Sequence, residues 1–154
     1  MKWNVYLLSL GVIDIYDTDI DGSRVGICAN NITMNITNVD ASNKGCPHDS
    51  GLGKGRKIDN CAGSGASHGG FGGYGGAQIR DDDQDYRCAK VDSIPYYFGH
   101  EARYEGSGGA SGDKLMTTGG AGGGVVWITT PDTLQLENSK IQANGKWGRI
   151  DERD

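Results

Sequence analysis

The residues able to do chemistry in this 154-residue chain are few and widely spaced. Asp17-Thr18-Asp19-Ile20-Asp21-Gly22 sets carboxylates at alternate positions before a glycine, the opening of the loop whose oxygen ligands wrap a calcium ion. The twelfth position of that loop supplies a bidentate Glu and here is Cys28, so an EF-hand is not expected. Calcium is the one cofactor these acids could take, at Asp17, Asp19 and Asp21, or at Asp81 and Asp83 in the later run Asp81-Asp82-Asp83-Gln84-Asp85. Against it stands the ordinary reading of both stretches as solvated acids, on a strand edge and in a loop respectively.

Two further patterns point to a compartment. Asn31-Ile32-Thr33 and Asn35-Ile36-Thr37 are acceptor sequences for N-linked glycans. Cys28, Cys46, Cys61 and Cys88 are even in number and lack Cys-x-x-Cys spacing, which favours two disulfides over a zinc site. Of the three possible pairings, Cys61 with Cys88 and Cys28 with Cys46 is the expected one. Disulfides and N-glycans both belong to the oxidising secretory route, so the chain is expected outside the cell.

Catalytic constellations are not legible. His48, His68 and His100 stand in no metal-binding spacing, and Ser67-His68 lacks a Gly-x-Ser-x-Gly elbow. Glu101, Glu105 and the acid run offer carboxylates for glycoside hydrolysis, but nothing selects a pair. The run Ile94-Pro95-Tyr96-Tyr97-Phe98 reads as a packed anchor for the glycine-rich region, with a sugar platform as the alternative. No enzyme is expected.

The elements that must carry these residues are strands. From Val25 onward apolar and polar residues alternate, so Ile32, Met34 and Ile36 should face one way and Asn31, Thr33, Asn35 and Thr37 the other. That places both sequon asparagines on one solvent face. The phrase recurs 102 positions later: Leu134-Gln135-Leu136 and Ile141-Gln142-Ala143 overlay Ile32-Thr33-Met34 and Val39-Asp40-Ala41. Each copy follows another short strand, Val25 to Cys28 or Val125 to Thr129. Short strands, tight turns and a repeating phrase are the pattern of stacked β structure. The fold class is therefore mainly β with little helix, its short stacked strands forming a β-helix-like or sandwich arrangement. The chain is read as a single domain over 1–154, with a first strand region at 1–45, a Cys-bracketed glycine-rich insertion at 46–124 and a second strand region at 125–148. Most of the 27 glycines fall in the insertion, and three successive Gly-Gly-x triplets between Gly69 and Ala77 match the three residues per turn of polyproline II. The insertion is expected to be ordered, with backbone packed on backbone.

A net charge of −5 gives no footprint for nucleic acid, and no apolar run approaches the roughly 18 residues of a membrane span. The stretch from Met1 to Ile13 has the lysine and apolar run of a short signal peptide without a small-x-small cleavage site, and so reads as a strand.

The segments Cys61 to Gly73, Gly106 to Gly109, Gly119 to Ile128 and Ile141 to Gly145 together resemble glycine-rich modules in very large secreted or surface proteins of protists. That resemblance covers roughly Cys61 to Gly145 and implies an extracellular structural role with no catalytic residues to carry over. In composition the triplets are also similar to the glycine-rich ectodomain region of the anaplastic lymphoma kinase family, where polyglycine helices pack in a bundle. The leading expectation is a secreted, glycosylated subunit of a fibre or surface appendage that assembles head to tail, with Trp3, Val5 and Leu7 pairing onto a neighbouring copy. Its partners would be itself and its N-glycans, with no nucleic acid and no membrane insertion. The rivals are a calcium-assisted carbohydrate-binding module using Tyr96, Tyr97 and the acid run, and a fragment of a β-helical polysaccharide lyase.

Overall fold

A computed structural model describes residues 3–57, 63–68, 95–96, 103–112 and 117–150. Its elements are β1 (Asn4–Leu8), β2 (Val12–Asp21), β3 (Arg24–Cys28), β4 (Asn31–Asp40), β5 (Thr117–Thr118), β6 (Val125–Thr129), β7 (Thr133–Glu137), β8 (Lys140–Gln142) and β9 (Arg149–Ile150). No helix occurs among the described residues.

The chain repeats one excursion three times: a five-residue strand, a short turn, then a ten-residue strand that in the third pass is split into two shorter ones. β1 with β2 is the first pass, β3 with β4 the second, and β6 with β7 and β8 the third. Successive passes pair in parallel, giving the orders β1-β3-β6 and β2-β4-β7, with β8 also on β4. Like residues fall in columns. Val5, Val25 and Val126 align, as do Leu7, Ile27 and Ile128. In the other sheet the columns are Ile13, Ile32 and Leu134; Ile15, Met34 and Leu136; and Ile20, Val39 and Ile141. Because side chains alternate with period two, all five columns point inward, and residues from both sheets share one apolar cluster. Burying columns of Val, Ile and Leu is what makes parallel sheets stable.

The 102-residue recurrence is thus a pairing register, Ile32 on Leu134 and Val39 on Ile141. The first pass was not read as a copy, although Ile13-Asp14-Ile15 followed by Ile20 has the spacing of Ile32-Thr33-Met34 followed by Val39. Turns are stitched as well. The Asn30 side chain donates to the Leu10 carbonyl (2.7 Å), and the Thr130 hydroxyl donates to the Asn30 carbonyl (2.5 Å).

One expectation is corrected. Alternation in β4 breaks at Ile36, which is 48% exposed while Thr37 is 2% exposed. The reason is a corner: Ile36 has φ +51°, and the residues aligned with it, Asp17 and Asn138, have φ +46° and +48°. A left-handed residue turns the chain and puts two neighbours out of phase with the pleat. In each pass the next residue is hydroxylic and donates back across the corner. Thr18 reaches Tyr16 O (2.8 Å), Thr37 reaches Asn35 O (3.2 Å), and Ser139 reaches Glu137 O (2.8 Å).

The glycine-rich segments lie beyond the ends of β4 and β8 and before β6, joined by backbone hydrogen bonds that change partner from residue to residue. Gly45 N–H donates to Gly122 O, Gly122 N–H to Cys46 O, Cys46 N–H to Gly106 O and Gly106 N–H to Gly123 O, each at 2.9 Å. Segment 106–110 also binds Ser50, Gly55, Ser64 and Gly120. Such crowding requires bare backbone: a Cβ on Gly122 would fall inside the van der Waals shell of the Gly106 carbonyl.

Candidate functional site

The middle pass is closed on both sides, and the outer passes are not. Ile32 and Met34 are 1% and 0% exposed, whereas Leu134 and Leu136, in the same columns one strand away, are 42% and 46% exposed. Ile141 is likewise exposed above buried Val39. At the other end Val5, Leu7, Ile13 and Ile15 are partly buried against the core. Among the described residues no strand pairs the outer edges of β1, β2, β6, β7 or β8. Among the described residues each end therefore presents strand-edge N–H and C=O groups that no strand pairs, above an unfinished apolar layer, the feature that templates addition of another strand. Of the three residues assigned to assembly, Val5 and Leu7 lie on this edge pointing inward, and Trp3 is exposed beside it.

The three acids of the calcium-loop pattern do not wrap a cavity. Asp17 is the corner residue, while Asp19 and Asp21 lie in the outer half of β2, and Asp21 forms an ion pair with Lys44. An extended strand rather than a loop is formed here because Ile20 between them belongs to an inward column. Among the described residues no group of three His, Cys, Asp or Glu could hold a metal ion. Asp81 and Asp83 lie outside the described residues.

The expected bridge between Cys28 and Cys46 is not formed; both are free, half-buried thiols. Cys28 ends β3 while Cys46 lines a cavity with Arg24 at the start of that strand. Cys61 and Cys88 lie outside the described residues. Asn31 and Asn35 share the outward face of β4, half-buried between β2 and β7, with Asn35 Nδ2 3.4 Å from Glu137 Oε2. The Thr37 of the second sequon has a structural task, since its single hydroxyl proton is shared between Asn35 O (3.2 Å) and Ile15 O (3.3 Å) and its backbone N–H donates to Ser139 Oγ (3.1 Å).

Two polar clusters hold the glycine-rich segments. The Asp49 carboxylate, on a residue with φ +58°, accepts from Ser111 Oγ (2.6 Å) and Ser111 N–H (3.0 Å), with His48 Nδ1 at 3.0 Å and Lys57 Nζ at 3.6 Å. Burial opposes its ionisation, but the bonds from Ser111 and His48 and the charge of Lys57 outweigh it and hold this carboxyl well below the usual range. Ser, His and Asp thus meet here without the order of a catalytic triad: Ser111 Oγ–H donates its hydrogen bond to the carboxylate, and the His48 nitrogen facing Asp49 is the one facing Ser111, at 3.4 Å. In the second cluster the Tyr96 hydroxyl donates to Glu105 O (2.7 Å) and lies 2.7 Å from His68 Nδ1. Its ring meets His68 and Tyr104 edge-on at 4.8 and 6.3 Å, and burial pushes its hydroxyl pKa up. Tyr96 is half-buried and ties His68 to the backbone at Glu105. Tyr97 lies outside the described residues, and the Glu105 carboxylate is paired with Arg24 at 3.3 Å.

A groove of about 620 Å³ runs among the glycine segments, with His68, Lys146, Trp147 and Arg149 as its large side chains. No carboxylate stands among its described lining residues, and Glu101 and the acid run Asp81 to Asp85 lie outside the described residues. No described helix is long and apolar enough to cross a membrane. Sequence reasoning missed the corner residues Asp17, Ile36 and Asn138; their signal was the hydroxylic residue that follows each. Comparison of the chain with protein-family models, with curated proteins and with solved structures finds no match.

Proposed function

We propose that this chain is a secreted, glycosylated structural subunit of an extracellular fibre or surface appendage, in which copies stack head to tail. The three passes are then successive turns of a β-helix-like rod. The glycine segments form a polyproline-II-like bundle along its side, in keeping with hydrogen bonds that change neighbour at each residue. The observation that carries this proposal is the contrast between a middle pass buried on both sides and outer passes whose identical columns stop at open edges. A stack gains from each added pass because a pass buries its faces only against neighbours. Covering the half-exposed Leu134, Leu136 and Ile141 would contribute roughly 1 kcal/mol each, about half the value for full burial. The two ends differ, so the contact is heterologous and does not close on itself.

The test is electron microscopy and sedimentation of protein secreted from eukaryotic cells, with intact mass before and after glycan removal. Filaments carrying glycan mass at Asn31 and Asn35 are expected. A monodisperse monomer at high concentration, with β1 amides protected from exchange on both sides, would overturn the proposal.

A further inference from the structure

Resting on the stacking proposal, we infer that copies join in one register, the register already used within the chain, and that the acids of β2 select it. Continuing the columns one step places the last pass of one copy beside the first pass of the next. Within the chain Asp19 aligns with Asn38, and Asn38 with Lys140. At the junction Lys140 of one copy therefore meets Asp19 of the next. The other acids follow the same rule. Asp14 is in column with Thr33 and Gln135, and Asp21 with Asp40 and Gln142. Asp17 shares the corner column with Asn138. All four acids of the open first pass, exposed in this structure, thus face an amide or an ammonium across the junction, and none faces an acid. Glu137, the one acid of β7, falls opposite Tyr16.

The apolar columns continue in the same step, setting Leu134 on Ile13, Leu136 on Ile15 and Ile141 on Ile20. A slip of one residue would turn each of these outward and set Lys140 against Ile20 or Thr18. The first pass is thereby acidic enough to discourage random edge pairing, yet complementary to one surface, the last pass of a second copy.

A charge-exchange cycle tests this register. Asp19→Lys sets like charges at every junction, as does Lys140→Asp, while the double variant restores an opposite pair. Within one chain the two positions are two strands apart, about 10 Å and near the screening length, so each single variant should keep the parent melting temperature. The critical concentration for pelleting is expected to rise about three- to five-fold in each single variant and to return in the double variant, with both shifts shrinking in high salt. An equal mixture of the two single variants should assemble within about two-fold of the parent's critical concentration and well below that of either variant alone, because each supplies the other's complement. If the parent polymerises but the single variants pellet like it, the register is wrong and stacking stands. If the parent does not polymerise, both fail.

Discussion

At the residue scale the corner is where the fold departs from local preference. Asp and Asn tolerate left-handed backbone because a short polar side chain can bond locally, whereas a β-branched residue there is strained by about 1–3 kcal/mol. Ile36 takes that conformation with its side chain half-exposed, so little packing compensates. Ile36→Asn, which copies Asn138 and keeps the sequon, is expected to raise stability by about 1 kcal/mol, read as a higher urea midpoint at unchanged slope. An unchanged or lower midpoint would mean that the corner does not strain Ile36. The neighbouring Thr37 separates two explanations of one motif. In protein made without glycans, Thr37→Val should cost about 1–2 kcal/mol through lost buried hydrogen bonds, while Asn35→Gln, on the half-buried outer face, should be near neutral. A neutral Thr37→Val would leave the sequon as the sole reason for the threonine. Asp49 gives a pH signature. Its carboxyl is depressed in the folded state, so its contribution is complete above the unfolded value near 4 and is lost as pH falls below that toward the folded value. Asn tolerates the same positive φ, so Asp49→Asn removes charge without backbone strain. Its melting temperature should fall less than the parent's between about pH 5 and about pH 2, and parallel curves would rule out this linkage.

At the element scale, what was legible in the sequence was what side chains write. The alternation of β4 and its echo at Leu134 and Ile141 predicted strands and a repeat, because inward columns demand apolar residues at matching positions. The first pass escaped notice because its outward residues are mostly acids, while those of the third pass are mostly amides and hydroxyls, hiding a shared inner pattern. The break at Ile36 was illegible since Ile is a poor marker of left-handed backbone. The clusters at Asp49 and Tyr96 join residues far apart in the chain, Ser111 and His68 among them, and no local pattern announces them. In the glycine segments the information is an absence of side chains, which signals close approach without saying to what. Gly122→Ala places a methyl against the Gly106 backbone and is expected to destabilise by about 1–3 kcal/mol or more, since a rigid carbonyl cannot step aside. Gly11→Ala meets only Ser9 Oγ at 3.9 Å and should be neutral within about 0.5 kcal/mol. Equal tolerance at both positions, measured by denaturant unfolding, would mean that the glycine segments are not packed backbone to backbone.

At the scale of the whole molecule, polarity separates stacking from ordinary edge association. A twofold contact between like edges would close into dimers with antiparallel strands, and both copies would use the same residues. Head-to-tail addition uses different residues on the two sides, so a chain blocked at one end still adds through the other and then stops growth there. Leu136→Lys blocks only the last pass, where the side chain is already half-exposed and the lysine can reach solvent. Mixed in small proportion with parent chains, this variant is expected to shorten filaments without lowering the mass that pellets, because each incorporated copy ends one growing end. Ile15→Lys, at the same column of the first pass, should do so from the opposite end. The chain carrying both changes should neither assemble nor shorten anything, while melting as a folded monomer. If the doubly blocked chain shortened filaments as well as the single variants do, growth would not proceed through these two edges, and the unfinished columns would be features of the fold alone.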